Sequence, residues 1–276
     1  AGDEIILPIP YYFNHQMWLE VLGIKAVHLG CNMSQGGLPE IDEARRLISK
    51  KTKAIVLVTP NNPTGGTYPP DLLRGFFKLC QKHGIKLIID ETYKDFLTEQ
   101  PPHQLFEISD WEGTLIQVYS FSKCFSLTGY RVGSVIAGEN VIESVTKIMD
   151  SVAICAPRIA QDAALYGLEH LTSWVAEKRN MLKRRRELFN KLFRENNLGF
   201  EVISSGAYFA YVEHQYDNKN AYQVAQDLLD KENILSLPGT FFGPNQERFL
   251  RFAYANITRK EITDVIDRLN VSFNKP

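Results

Sequence analysis

The sequence predicts an α/β protein: a mostly parallel central sheet flanked by helices, followed by a smaller α+β domain at the C-terminus. Three observations predict it. The runs at 54–58, 85–89 and 114–119 are almost continuously apolar, as strands covered on both faces of a parallel sheet are. Between the first two lies a helical pattern with Leu72, Leu73, Phe76, Phe77 and Cys80 on one face, so strand and helix alternate. An almost wholly helical stretch at 159–196 then leads into strand-like runs at 200–203, 207–212 and 249–254 and helical ones at 221–229 and 259–269. The expected division is a large domain at 1–172 and a small one at 173–276.

The elements follow in order. Residues 5–7 form a short apolar strand that ends at Pro8 and Pro10. Tyr11, Tyr12 and Phe13 come next; three aromatics after a strand either pack in the core or offer a flat face to a planar ring. His15 has no partner in view and receives no role. Residues 17–22 read as a helix that Gly23 caps, and 25–29 as a strand. Ile41, Ala44, Leu47 and Ile48 have helical spacing. The 54–58 strand opens into a turn at 59–66 with two prolines, two asparagines and two glycines. That composition is common punctuation, but ligands in open α/β sheets collect outside the carboxyl ends of strands. Pro70 starts the next helix and Gly84 ends it. Residues 133–137 form a further strand, which turns back at 138–140 into a helix carrying Val141, Ile142, Val145, Ile148 and Met149. The 159–196 stretch is too long for one compact helix and is expected to break near Gly167, with 173–196 linking the two domains.

Composition limits the function. The chain has 276 residues with 31 Lys+Arg against 32 Asp+Glu, a balance that gives no electrostatic case for a nucleic-acid or membrane-surface partner. The basic run Lys183–Arg186 lies in a helical pattern and reads as a solvated face. Four cysteines without a CxxC pair fit free thiols in a cytoplasmic protein. No apolar run is long enough to span a bilayer, and nothing suggests a bound metal.

Chemistry-bearing residues gather at strand ends. Lys123 follows the 114–119 strand, between Ser120, Ser122 and Arg131, groups suited to an anion. Asp90 and Tyr93 follow the 85–89 strand; Asp90 either caps the next segment or holds a charged partner. Asn62 lies in the 59–66 turn. Arg251 sits in an apolar strand, on the face opposite Leu250 and Phe252, and an arginine so placed usually holds an anion. A lysine that condenses with an aldehyde cofactor, a carboxylate for its ring nitrogen and a phosphate seat form one coherent set.

Five segments together resemble the class I/II aminotransferases, pyridoxal-phosphate enzymes of fold type I. They are Pro10–His15, Asn61–Gly65, Asp90–Tyr93, Ser120–Gly133 and Arg251–Ala255. The resemblance implies that Lys123 forms an aldimine with pyridoxal 5'-phosphate and shuttles a proton. It implies that Asp90 pairs with the pyridine nitrogen and that Tyr93 and Asn62 hold the ring's phenolic oxygen. Tyr12 would stack on the ring, Ser120, Ser122 and Arg131 would hold the phosphate, and Arg251 would take the substrate α-carboxylate. Arg158 stands near a position where relatives bind a side-chain carboxylate; a surface arginine is an equal reading. The expected reaction moves an amino group between an α-amino acid and a 2-oxo acid, in a homodimer. The alternatives are a C–S β-lyase of the same fold, a non-catalytic pyridoxal-phosphate-binding regulatory domain, or an inert relic. The family's N-terminal arm and phosphate-cradling helix have no counterpart before Ala1, so the large domain is expected to be N-terminally incomplete.

Overall fold

The computed structural model describes residues 1–97, 102–196 and 198–273. The first half alternates as the sequence predicts: β1 (Glu4–Ile9), α1 (Phe13–Val21), β2 (Lys25–Asn32), β3 (Leu38–Pro39), α2 (Ile41–Leu47), β4 (Thr52–Val58), α3 (Pro70–His83) and β5 (Lys86–Asp90). Next come β6 (Leu115–Ser120), the short α4 (Phe121–Cys124), β7 (Gly133–Ala137), α5 (Glu139–Val152), α6 (Arg158–His170) and α7 (Thr172–Glu195). The last part holds β8 (Phe200–Gly206), β9 (Phe209–His214), α8 (Ala221–Glu232), β10 (Leu237–Pro238), β11 (Phe249–Ala253) and α9 (Arg259–Phe273).

Among the described residues, a seven-stranded sheet runs β3-β2-β1-β4-β5-β6-β7 and a four-stranded sheet runs β10-β11-β9-β8. In the larger sheet β2, β1, β4, β5 and β6 are parallel, and the edge strands β3 and β7 are antiparallel. The smaller sheet is antiparallel throughout. The mostly parallel α/β architecture with a smaller C-terminal α+β part is thus present.

The apolar faces account for this arrangement. α3 buries Leu73, Phe76, Phe77, Leu79 and Cys80 against the sheet strands, each large side chain contributing about 1.5–3 kcal/mol. Pro70 opens it and Gly84, at φ +64°, caps it. In the smaller layer Phe189 and Phe193 of α7 pack with Phe200 and Phe252. Further up α7, Leu182 packs with Tyr93, Phe96 and Phe209, so one helix touches the core of the small sheet and the rim of the large one.

Several boundaries differ from expectation. β1 runs through Pro8 to Ile9; its pairing with β4 ends at Ile6, so the missing proline amide interrupts no bond on that side. The long helical stretch breaks at Leu171, not Gly167. Gly167 is buried in α6, where a Cβ would lie 2.6 Å from the Phe125 ring; the glycine serves close packing there rather than a break. β9 begins at Phe209 because Ala207 turns at φ +45°. The antiparallel β3 pairing escaped the sequence reading, because two residues carry no periodicity.

Candidate active site

The carboxyl ends of β4, β5 and β6 point to one side of the large sheet, and the small sheet presents β11 toward the same place. Between them is a cavity of about 960 Å³ lined by every sequence-selected residue except Arg158. Arg158 lies on α6, its side chain 86% exposed and paired with Asp162 at 2.8 Å. The structure does not bring it to this cavity.

The turn after β4 builds itself around Asn61. Its Oδ1 accepts from the Thr64 amide and hydroxyl, both at 3.1 Å, and its backbone accepts from Gly65 N at 2.8 Å. This leaves the neighbouring Asn62 side chain free to face the cavity. Asn62 Oδ1 accepts from Arg251 Nη1 at 2.8 Å, which ties the large sheet to the small one. Gly65, at φ +71°, permits the approach: a Cβ there would sit 2.5 Å from the Phe209 carbonyl oxygen.

At the end of β5, Asp90 is fixed by its own turn. Its Oδ1 accepts from Thr92 N at 3.0 Å and from Thr92 Oγ1 at 2.7 Å. Its Oδ2 lies 3.3 Å from His15 Nε2. Burial raises the Asp90 pKa, but His15 and Thr92 outweigh it and hold the carboxyl below its ordinary value. The absence of a partner for His15 is therefore corrected: the α1 register places it over Asp90, a contact between residues distant in sequence. Tyr12, the residue before α1, meets His15 edge-on at 5.5 Å. Tyr93 is buried edge-to-face against Tyr208 and Phe209, and burial pushes its phenol up.

Ser120 closes β6 and caps α4, its Oγ accepting from Ser122 N at 3.3 Å. Lys123 follows within that single helical turn, and its carbonyl accepts from Tyr208 Oη at 3.2 Å. Its pKa is lowered by burial, then by the charges of Arg131 and Arg251. Arg131 adopts φ +56° and donates to Thr128 O at 2.9 Å; a non-glycine residue in that conformation is held by its surroundings.

Arg251 is the most constrained cation. Its guanidinium lies 4.5 Å from the Phe209 ring and 5.2 Å from Phe242, and burial lowers its pKa. Its Nε is buried without a hydrogen-bond partner. No protein carboxylate meets it among the described residues; its partner is the neutral Asn62 amide oxygen. A planar donor fork aimed into a cavity with an orphaned N–H suits a carboxylate.

The sequence reading missed His15 and Tyr208. Neither carried a local pattern; a loop aromatic before a strand and a lone histidine acquire meaning through distant partners. Among the described residues no cluster of three or more His, Cys, Asp or Glu could hold a metal, and no helix is long and apolar enough to cross a membrane.

Comparison with known proteins agrees with this geometry. The family model described as aminotransferase class I and II matches residues 1–269. The chain is 29% identical to the aspartate aminotransferase of Pyrococcus horikoshii, across 97% of this chain and 68% of that protein. It is 28% identical to the aromatic aminotransferase of Arabidopsis thaliana, across 98% and 68%. A solved structure of a Thermus thermophilus aspartate aminotransferase variant superposes with a TM-score of 0.90 at 26% identity, across 97% of this chain and 73% of that one. The chain thus spans about two thirds of the length of such relatives, down to 66% in one case.

Proposed function

The chain belongs to the aminotransferase class I and II family, and on that premise we propose that it carries the reaction centre of a pyridoxal-phosphate-dependent aminotransferase, which moves an amino group between an α-amino acid and a 2-oxo acid. Family members use pyridoxal 5'-phosphate. The observation that carries the reading is one cavity that gathers Lys123, Asp90 with its His15 and Thr92 contacts, and the Arg251 guanidinium, whose Nε has no hydrogen-bond partner.

The residues fit that cofactor. Bound here, it would supply an aldehyde for an amine to condense with and an electron-withdrawing ring. Asp90, kept ionised by His15 and Thr92, is suited to a protonated ring nitrogen. Tyr12 offers a flat face, and Tyr93 and Asn62 offer hydrogen bonds to a ring oxygen. Ser120, Ser122 and Arg131 form a partial phosphate seat. Arg251 orients the substrate through its α-carboxylate. Lys123 Nζ accepts the substrate Cα proton and returns it, a role its lowered pKa supports. Tyr208, in the turn between β8 and β9, buttresses Lys123 by its bond to the Lys123 carbonyl.

A homodimer is part of the proposal. Ile148, Val152, Ile154, Ile159 and Leu165 leave an apolar surface on and around α5 and α6, with exposures from 54 to 77%, more than scattered surface residues need. Four free cysteines support a cytoplasmic setting.

The test is titration with pyridoxal phosphate, followed by borohydride reduction and peptide mapping. A visible absorbance band with the reduced adduct on Lys123 is expected, and labelling scattered over surface lysines overturns the assignment. Amino donors are then screened with 2-oxo acids. Release of ammonia and pyruvate from cystathionine, without transamination, would replace the reading by a C–S β-lyase.

A further inference from the structure

Beside Asp90 lies a second carboxylate for which the proposed chemistry has no use. Glu91 follows β5 and is fully buried. Its Oε2 accepts from Gln117 Nε2 on β6. Its Oε1 lies 3.2 Å from His103 Nε2, off the line of a well-formed hydrogen bond, and neither atom has another partner. His103 Nδ1 accepts from Leu105 N at 3.2 Å. With Nδ1 accepting, the ring's N–H is the one on Nε2, which faces Glu91. Both neighbours of the carboxylate thus present N–H groups. The carboxylate accepts from Gln117 and turns its other oxygen toward His103, a surrounding that suits acceptor oxygens.

A buried carboxylate whose surroundings are an amide and an imidazole is expensive, and an apolar side chain would fill the space at lower cost. Its placement gives it a use. Consecutive side chains at a strand end point to opposite faces: Asp90 lines the cavity, and Glu91 is buried away from it. The backbone links them. Glu91 N donates to Val118 O, and Glu91 O accepts from Lys94 N, both at 3.0 Å, so the Glu91 clamp fixes the turn whose Thr92 holds Asp90.

We propose that Glu91 is a positioning residue for the ring-nitrogen contact: a buried carboxylate, bonded by Gln117 and faced by His103, that locks the Asp90–Tyr93 turn from behind and adds to the negative field favouring a protonated ring nitrogen. This rests on the reading of the cavity as a pyridoxal-phosphate seat.

The test compares two ligands on Glu91→Gln: pyridoxal phosphate, and its 1-deaza analogue, in which carbon replaces the ring nitrogen and no proton can be held. Dissociation constants are measured by absorbance and fluorescence titration. Removing one nearby unit of charge at an effective dielectric of about 20 gives a factor on the order of ten. Glu91→Gln is therefore expected to bind pyridoxal phosphate about tenfold more weakly and the analogue within about twofold of wild type. In an Asp90→Asn background the difference between ligands should vanish. Equal weakening of both ligands means Glu91 is merely structural and overturns the proposal, as does no change in either. Where Glu91→Gln does not fold, His103→Gln decides by the same comparison, with a smaller effect of the same sign expected. Wild-type chain that binds neither ligand refutes the cofactor reading itself, and this inference falls with it.

Discussion

Replacing Arg251 by methionine separates a ligand-binding arginine from a structural one. The side chain makes one hydrogen bond, to Asn62 at 2.8 Å, and lies over two aromatic rings. Losing a bond from a charged donor costs about 1.5–3 kcal/mol, and losing two cation–π contacts about 1–2 kcal/mol. Against this stands relief from burying a cation with no counter-charge, several kcal/mol. Methionine keeps most of the apolar contact with Phe209 and Phe242. The terms offset, so chain stability should change by no more than about 2 kcal/mol in urea unfolding. Ligand binding should change far more. A carboxylate seated on the fork receives two charge-assisted bonds at about 1.5–3 kcal/mol each, and their loss weakens binding by roughly 10²–10⁴-fold. The assay is calorimetric titration of the cofactor-loaded chain with 2-methylalanine, which has an α-carboxylate but no Cα proton. Arg251→Lys, which keeps charge but not the fork, should fall between. A loss of more than about 4 kcal/mol in stability with 2-methylalanine affinity within threefold would refute the reasoning and leave Arg251 as a tie between sheets.

Other outcomes follow from the same geometry. Lys123→Ala should give no borohydride-stable adduct on its peptide. Because the folded Lys123 pKa lies below its ordinary 10.5, the folded chain binds fewer protons there, and stability rises with pH from the lowered value toward 10.5; the variant should lose that slope in urea midpoints measured between pH 7 and 10. The depressed Asp90 pKa contributes stability above the ordinary 3.8 that is lost as pH falls through the lowered value. His15→Ala, which removes the largest lowering contact, should move this acid limb upward and weaken cofactor binding about tenfold; an unmoved limb in acid-unfolding curves counts against the pairing. Gly65→Ala would place a methyl against the Phe209 carbonyl at a positive φ and should destabilise by more than about 3 kcal/mol in urea unfolding.

How far the sequence reveals this molecule depends on whether a signal is local. β4, β5 and β6 were legible because strands buried on both faces are continuously apolar, and their ends carried Asn62, Asp90 and Lys123 into one cavity. Arg251 was legible because a charge interrupts an apolar alternation. His15 was not, since its contact is with Asp90, seventy-five positions on, and Tyr208 was not, since its bond is to the Lys123 backbone. Gly167 was misread because a glycine in a helical pattern fits both a break and a tight packing contact, and only the position of Phe125 separates them.

The Asn62–Arg251 bond joins residues 189 positions apart. At about 5–20 residues per second, a ribosome makes the second roughly 10–40 s after the first. For the last 128 positions of that span the growing chain carries Lys123 but lacks the arginine and the small-sheet wall that lower its pKa. An aldehyde in the cell then meets that lysine as one ordinary amine among many. The surroundings that set Lys123 apart from surface lysines are complete only when the last strands dock, so on the proposed reading cofactor loading belongs to the end of folding and stabilises chains that have finished it.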